Sequence, residues 1–306
     1  LEYFHPKEYL TNVGGLDNLK EWIHKRGQAY SDDARNFGLN IPRGVLLLGI
    51  PGCGKSLTAK AIANEWKFPL LRFDLGKVFG GIVGESERNI RYALDVAKTI
   101  SPCVLWIDEI EKGLSGSQSS GRTDGGTSAR VFGTFLTWMQ EKTEPVFVVA
   151  TANDISSLPP ELLRKGRFDE IFFVDLPSAK ERENIFQIHL KNKHRNAEAL
   201  GLNMAELVKK TEGFSGAEIE EVVNEALFNA YANGQKDLEM QNLLDCISAT
   251  SPLSRTMAET IANLRKWAEQ RARMASKDKP DEVKPLGEDV PKLQQEYSNP
   301  FIQKKK

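Results

Sequence analysis

Eight residues, Gly49-Ile50-Pro51-Gly52-Cys53-Gly54-Lys55-Ser56, combine three glycines with a lysine and a hydroxyl at a spacing suited to a polyphosphate. Glycines let the backbone turn its N–H groups inward around an anion. The lysine sets a cation against the outer phosphates, and the serine hydroxyl is placed to ligate magnesium. An apolar run at 45–48 precedes the loop and helix formers follow at 57–66, so the loop leads from a strand into a helix N-terminus, whose dipole favours anions. Fifty-three residues beyond Lys55, a second apolar run at 103–107 ends in Asp108-Glu109. A carboxylate pair at the tip of a parallel strand falls in the crevice where open α/β sheets bind ligands. Asp108 suits magnesium, directly or through water, beside Ser56. Glu109 suits polarising a water for in-line attack on a γ-phosphate.

A third apolar run, 146–151, leads to Asn153, a neutral amide able to hydrogen-bond a water or a phosphate oxygen. Beyond it, Leu162-Leu163-Arg164-Lys165-Gly166-Arg167-Phe168-Asp169 sets two arginines three apart just before the apolar run 171–174. Arg164 and Arg167 have no evident packing task and suit the oxygens of a transferring phosphate.

These features, in this order, resemble the AAA+ ATPases, and within them the branch with the second region of homology. Val13-Gly14-Gly15 resembles the stretch that covers the adenine there, Gly84-Glu85-Ser86-Glu87 the segment after the first pore loop, and Phe214-Ser215-Gly216-Ala217-Glu218 the lid signature near the nucleotide. Phe79–Ser86, Ser115–Gly121 and Arg130–Trp138 are similar to the hypothetical chloroplast reading frame forty-six family of plastids and cyanobacteria. The resemblance implies ATP and Mg2+ as cofactors. It implies nucleotide contacts from Val13, Gly14, Gly15, the residues Pro51, Gly52, Cys53, Gly54, Lys55, Ser56 and Leu57, and Gly216 and Ala217. His189 is implied near the adenine and ribose, although a helical histidine is ordinarily a packed or surface residue. Asn153 is implied as the γ-phosphate sensor. Arg164 and Arg167 are implied to serve a neighbouring subunit, which requires a homo-oligomer, expected to be a hexamer. A protein client is implied without being identified, in a bacterial cytoplasm or plastid stroma, with a link to photosynthetic inorganic-carbon use.

Three departures bear on mechanism. Threading rings usually carry an aromatic residue where this chain has Ile82, so a stacked-aromatic peptide grip is in doubt. The Asp-Gly-Phe element that signals between subunits is replaced by Gln140-Glu141-Lys142. The glycine- and serine-rich insert 115–126 is expected near the second pore loop, with Arg122 and Arg130 facing the pore. Three function classes stay open: a remodelling enzyme, an ATP-dependent assembly switch, and a nucleic-acid motor.

The elements that must position these residues follow from periodicity. Strands are expected near 45–48, 70–74, 103–107, 146–151 and 171–174, alternating with helices in a parallel sheet covered on both faces. The resemblance implies strand order 5-1-4-3-2. The fold class is therefore an α/β P-loop NTPase module followed by a small helical lid. Residues 1–176 are assigned to the nucleotide-binding domain, 177–250 to the lid, 251–275 to a further helix spanning 252–274, and 276–306 to a flexible charged tail. Lid helices are expected at 179–193, 203–211 and 215–233, the last with Ser215 and Glu218 at capping-box spacing and Gly234 suited to its end.

With 306 residues, 41 basic against 42 acidic, the chain can bury a sizeable core and offers no overall attraction for nucleic acid or membrane. It lacks an apolar run of the roughly 20 residues that a membrane span needs, and no leader pattern is expected at its start. The short stretch before Val13 fits the ATPase portion of a longer protein. Cys53, Cys103 and Cys246 are isolated and odd in number, which disfavours a disulfide framework or zinc site. A redox switch at Cys53 is conceivable from the neighbouring Lys55 and helix N-terminus, which lower thiol pKa values, but a tolerated small residue accounts for it as well.

Overall fold

The computed structural model describes residues 1–75, 85–113, 125–164 and 166–282. The pore-loop stretch 79–83, most of the 115–126 insert with Arg122, and Lys165 lie outside the described residues. A seven-stranded sheet forms the centre, in the order β1-β3-β4-β5-β2-β6-β7. Its strands are β1 (Glu2–Phe4), β2 (Gly44–Gly49), β3 (Leu70–Arg72), β4 (Cys103–Ile107), β5 (Val146–Ala152), β6 (Glu170–Val174) and β7 (Arg273–Met274). The five central strands are mutually parallel and reproduce the expected 5-1-4-3-2 order. They read as near-continuous apolar runs because helices cover both faces.

Alternate residues go to opposite layers. Leu46, Leu48, Leu105, Ile107, Val148 and Phe173 join one core, with α4 (Glu85–Ile100) and α5 (Gly125–Glu141). Val45, Leu47, Val104, Trp106, Phe147 and Phe172 join the other, against α1 (Asp17–Gly27) and α3 (Lys55–Trp66). A short α2 (Asp32–Asn36) precedes β2.

Two strands go beyond the five expected. β1 pairs antiparallel with β3, and β7 pairs parallel with β6, each covering an edge whose unpaired N–H and C=O groups would otherwise lie open. β3 ends at Arg72, two residues short of the expected strand. The single helix expected over 252–274 is instead α10 (Leu253–Thr256), a non-helical Met257, and α11 (Ala258–Arg271), and the chain then turns extended at Ala272 to enter β7. The ladder bonds available along β6 prevail over helix propensity there.

The lid comprises α6 (Ala179–Asn192), α7 (Met204–Lys210), α8 (Gly216–Ala232) and α9 (Met240–Ala249) around a separate apolar core that includes Phe186, Leu207, Phe214 and Leu243. Ser178 and Ser215 cap α6 and α8 through full capping boxes with Glu181 and Glu218. The α8 stripe of Ile219, Val222, Val223, Ala226 and Ala230 is buried. Gly234, at φ 70°, follows the helix end.

Candidate functional site

Parallel strand order reverses at β2, where β5 lies on one side and β6 on the other, and the crevice beyond their carboxyl ends holds the site. β2 feeds directly into the glycine loop, whose Gly52 and Gly54 adopt φ of 75° and 88°. A side chain at Gly52 would meet Ser215 Oγ at 2.9 Å, because the start of α8 rests on the loop: Ala217 N–H donates to Gly52 O at 2.9 Å. The Lys55 ammonium is almost fully buried and donates to Gly49 O (2.9 Å) and Ile50 O (2.7 Å). Burial lowers its pKa to about 8, against the favourable field of the nearby acids.

A network of short polar contacts joins the strand tips. The Ser56 and Thr151 hydroxyls each donate to Asp108 Oδ1 at 2.7 Å. Thr151 Oγ1 accepts the Glu109 N–H at 2.9 Å, and Glu109 sits at φ 49°, a left-handed conformation uncommon outside glycine. Asn153 Nδ2 donates to Glu109 Oε1 at 3.2 Å, while Lys112 pairs with Glu109 Oε2 at 2.5 Å. In the reverse direction, buried Glu111 accepts the Asn153 N–H at 2.9 Å, and burial raises its pKa.

The cleft they line measures about 460 Å³. Pro51, Gly52, Cys53, Gly54, Lys55, Ser56 and Leu57 line it on the loop side. Asp108, Glu109 and Asn153 do so from the strand tips, and Val13 and Gly14 from the N-terminal segment. From the lid come His189, Gly216 and Ala217. His189 Nδ1 lies 3.8 Å from Glu220 Oε1, and burial lowers its pKa, which favours the neutral ring. Gly15 lies just outside the cleft: its φ is 67° and any side chain there would collide with the Glu181 carboxylate, so its role is to let the chain pass.

Cys53 does not have the environment that the redox idea needs. Burial pushes its thiol up to about 12 and outweighs the neighbouring Lys55 charge, so the thiolate is disfavoured. All three cysteines are free.

Arg164 and Arg167 lie away from this cleft. Arg164 is exposed, 4.0 Å from Glu161, in a hollow that also holds Arg43 and Arg271. The buried Nε of half-buried Arg167 has no hydrogen-bond partner among the described residues. Two residues later, Asp169 Oδ2 accepts the N–H groups of Arg43 (2.7 Å) and Gly44 (2.9 Å), and the Arg43 guanidinium donates to Gly166 O. The arginine segment is thus fastened to the start of β2, and the phosphate loop leaves its end. Five strand steps separate them by roughly 17 Å. Arg130 is exposed on α5.

Sequence reasoning missed Thr151, Glu181 and Ser276. A hydroxyl at the end of an otherwise apolar strand was the available signal for Thr151. Glu181 was visible as the third residue of a capping box after Ser178. Ser276 carried no signal, because only β7 brings it to the cleft.

The donor set fits a magnesium triphosphate: a serine hydroxyl and a carboxylate 2.7 Å apart are hard oxygen ligands, and a buried lysine lines the same cleft. A P-loop sheet with a helical lid closing over that set defines a nucleotide-binding module. Residues 45–176 match the ATPase family associated with various cellular activities, and residues 201–245 match the AAA+ lid domain. The chain belongs to the AAA+ ATPases. It is 51% identical over 268 residues to a protein named as an uncharacterized AAA domain-containing protein, ycf46, of Guillardia theta, which covers 88% of this chain and 52% of the relative. The protein of the same name in Pyropia yezoensis is 50% identical over 277 residues, 90% of this chain and 56% of the relative. A cell division cycle protein 48 homolog of Archaeoglobus fulgidus is 36% identical over 226 residues, 72% of this chain and 30% of that protein. The chain spans about half the length of its ycf46 relatives. Among the described residues no helix is long and apolar enough to cross a membrane.

Proposed function

We propose that the chain binds ATP with Mg2+ and hydrolyses it in an oligomer, expected to be a hexamer, whose sites are completed between subunits. Lys55 and the loop amides hold the phosphates, and Ser56 and Asp108 hold the metal. Glu109 orients the attacking water and accepts its proton, and Asn153 steers Glu109 while reporting the γ-phosphate. Magnesium supplies neutralisation of the phosphate charge. Val13, Gly14, His189, Gly216 and Ala217 enclose the nucleoside end. The division at 176–177 and 250–251 is proposed as the boundary set of nucleotide-binding domain, lid and C-terminal extension.

The observation that carries this reading is the placement of two arginines at the opposite end of β2 from their own cleft. A phosphate-stabilising role for Arg164 and Arg167 then needs a second copy. Leu39 lines the arginine hollow and Phe37, two residues before it, is 84% exposed, as an interface would require. Turnover per subunit should climb across a hundredfold rise in protein concentration. A flat, near-zero rate would remove completion in trans as the control.

The output proposed is remodelling or regulation of a protein partner. An unfolded protein that raises turnover would favour remodelling, and partner capture in ATP but not ADP would favour an assembly switch. Near-neutral charge makes a nucleic-acid motor the weakest reading. The compartment, bacterial cytoplasm or plastid stroma, and the link to photosynthetic carbon use rest on family resemblance.

A further inference from the structure

After α11 the chain does more than cover a sheet edge. Ala275 is fully buried, donates its N–H to Phe173 O (2.9 Å) and accepts the Leu19 N–H (3.1 Å). The Asn18 amide donates to the carbonyls of Met274 (3.1 Å) and Ser276 (2.9 Å). Ser276 lines the cleft, and its hydroxyl donates to Glu181 Oε1 at 2.6 Å. The same oxygen accepts the Leu16 N–H at 3.1 Å, while the other oxygen of Glu181 accepts the Ser178 N–H at 2.9 Å at the start of α6. One carboxylate therefore ties together the N-terminal segment, the first lid helix and the chain beyond β7.

Five residues on, the strand exit reaches the lid base. Asp281 Oδ2 receives the Arg182 guanidinium and the Gly213 N–H (3.3 Å), and Asp281 O receives Arg265 Nη2 (3.1 Å). Arg182 is a buried cation, its side chain only 3% exposed, and it also donates to Pro177 O and Val208 O at 3.0 Å each. Pro177 is part of the short link between sheet and lid. Arg265 completes the circuit by gripping Asp175, which lines the cleft. Any rotation of the lid about that link must pull a buried charge pair apart or carry the strap with it.

We propose that residues 272–282 form a strap that belongs to the nucleotide site: Ser276 is part of the cleft wall, and the Arg182–Asp281 pair locks the lid against the sheet, so that nucleotide leaves only when the strap releases. For its ligand the inference rests on the nucleotide reading above; the lock stands on the contacts themselves.

The test has two arms. Hydrogen exchange in the nucleotide-free protein reads the lock, and dissociation of a fluorescent ADP reads its consequence. Asp281→Ala should raise exchange at Gly213 and the first turn of α6 about tenfold or more, with the β6 amides still protected, and speed ADP release by a similar factor. Asp281→Glu should stay near the parent. Ser276→Ala should speed release severalfold and raise α6 exchange less than Asp281→Ala does, as loss of one of the bonds held by Glu181 would. Should Asp281→Ala not fold, Asp281→Asn, which keeps an acceptor for Gly213, carries the same comparison. Exchange within twofold of the parent would overturn the lock. Faster exchange with unchanged ADP release would overturn its coupling to the nucleotide. A parent that binds no ADP would instead sink the nucleotide reading and Ser276's part in it, while the exchange arm would still decide the lock.

Discussion

Lys55 is held between two demands: burial disfavours its charge, while a triphosphate needs it. With a pKa near 8 in the free protein, a phosphate that arrives must raise it, so binding takes up a proton around that pH. The sign follows: affinity for ATP is full below the lowered pKa and weakens as pH rises through it, by up to about tenfold per unit. Calorimetry in buffers of different ionisation enthalpy at pH 8 should show the uptake, and its absence would contradict a phosphate contact by a protonated Lys55. Lys55→Ala should abolish binding, whereas Glu109→Gln should bind ATP and hold it uncleaved; parental turnover by Glu109→Gln would remove Glu109 from its role. Thr151 acts through its neighbours, since one hydroxyl fixes both Asp108 and the left-handed Glu109. Thr151→Val, equal in shape, should lower turnover roughly 10- to 100-fold and raise the magnesium needed for half-maximal rate, with Thr151→Ser near parental. A purely structural Thr151 would change the melting temperature and leave the magnesium requirement alone.

At the scale of elements, β2 is a rigid rod with a function at each end: its first residue Gly44 and the preceding Arg43 hold Asp169 and Gly166, and its last becomes the phosphate loop. Arg43→Ala should loosen the arginine segment without touching the cleft. Turnover at saturating protein concentration is expected to fall about tenfold, with ATP affinity unchanged, because small misplacements of a positioned group are costly. A change in affinity instead would mean that Arg43 acts through β2 on its own cleft. This rod was legible in the sequence because a strand buried on both faces leaves a solid apolar run, and so were the capped lid helices, whose Ser178 and Ser215 boxes are local. The break at Met257 and the strand at Arg273–Met274 were not legible. The cause of the strand is the open edge of β6, a partner about a hundred residues away, and no local pattern in Arg271-Ala272-Arg273-Met274 reports it. The same distance hid Ser276, whereas Lys55 announced itself through the glycine-loop spacing, and Asp108 and Asn153 through strand-end positions. Of the two readings that the sequence leaves for Cys53, burial supports the tolerated small residue: it outweighs the neighbouring lysine and helix start that favour a reactive thiol.

For the whole molecule, the proposed oligomer has arginines that lie away from their own cleft making a heterologous contact, in which one surface of a subunit would complete a different surface of the next. Such a ring permits complementation between two disabled chains. Lys55→Ala keeps its arginines and loses its own cleft, while Arg167→Ala keeps its cleft and fails its neighbour. Each alone should be nearly idle, since an arginine supplied in trans is worth on the order of a thousandfold in turnover. Mixed in equal amounts, a working site forms wherever an Arg167→Ala cleft meets a Lys55→Ala neighbour, about a quarter of the interfaces under random assembly of a heterologous ring. The mixture should therefore recover up to about a quarter of parental turnover, on the time scale of subunit exchange, and lose it on dilution. If arginine and cleft served each other within one chain, the mixture would stay at the sum of its two inactive components at every concentration, and the in-trans assignment of Arg167 would fall while the nucleotide site itself stood.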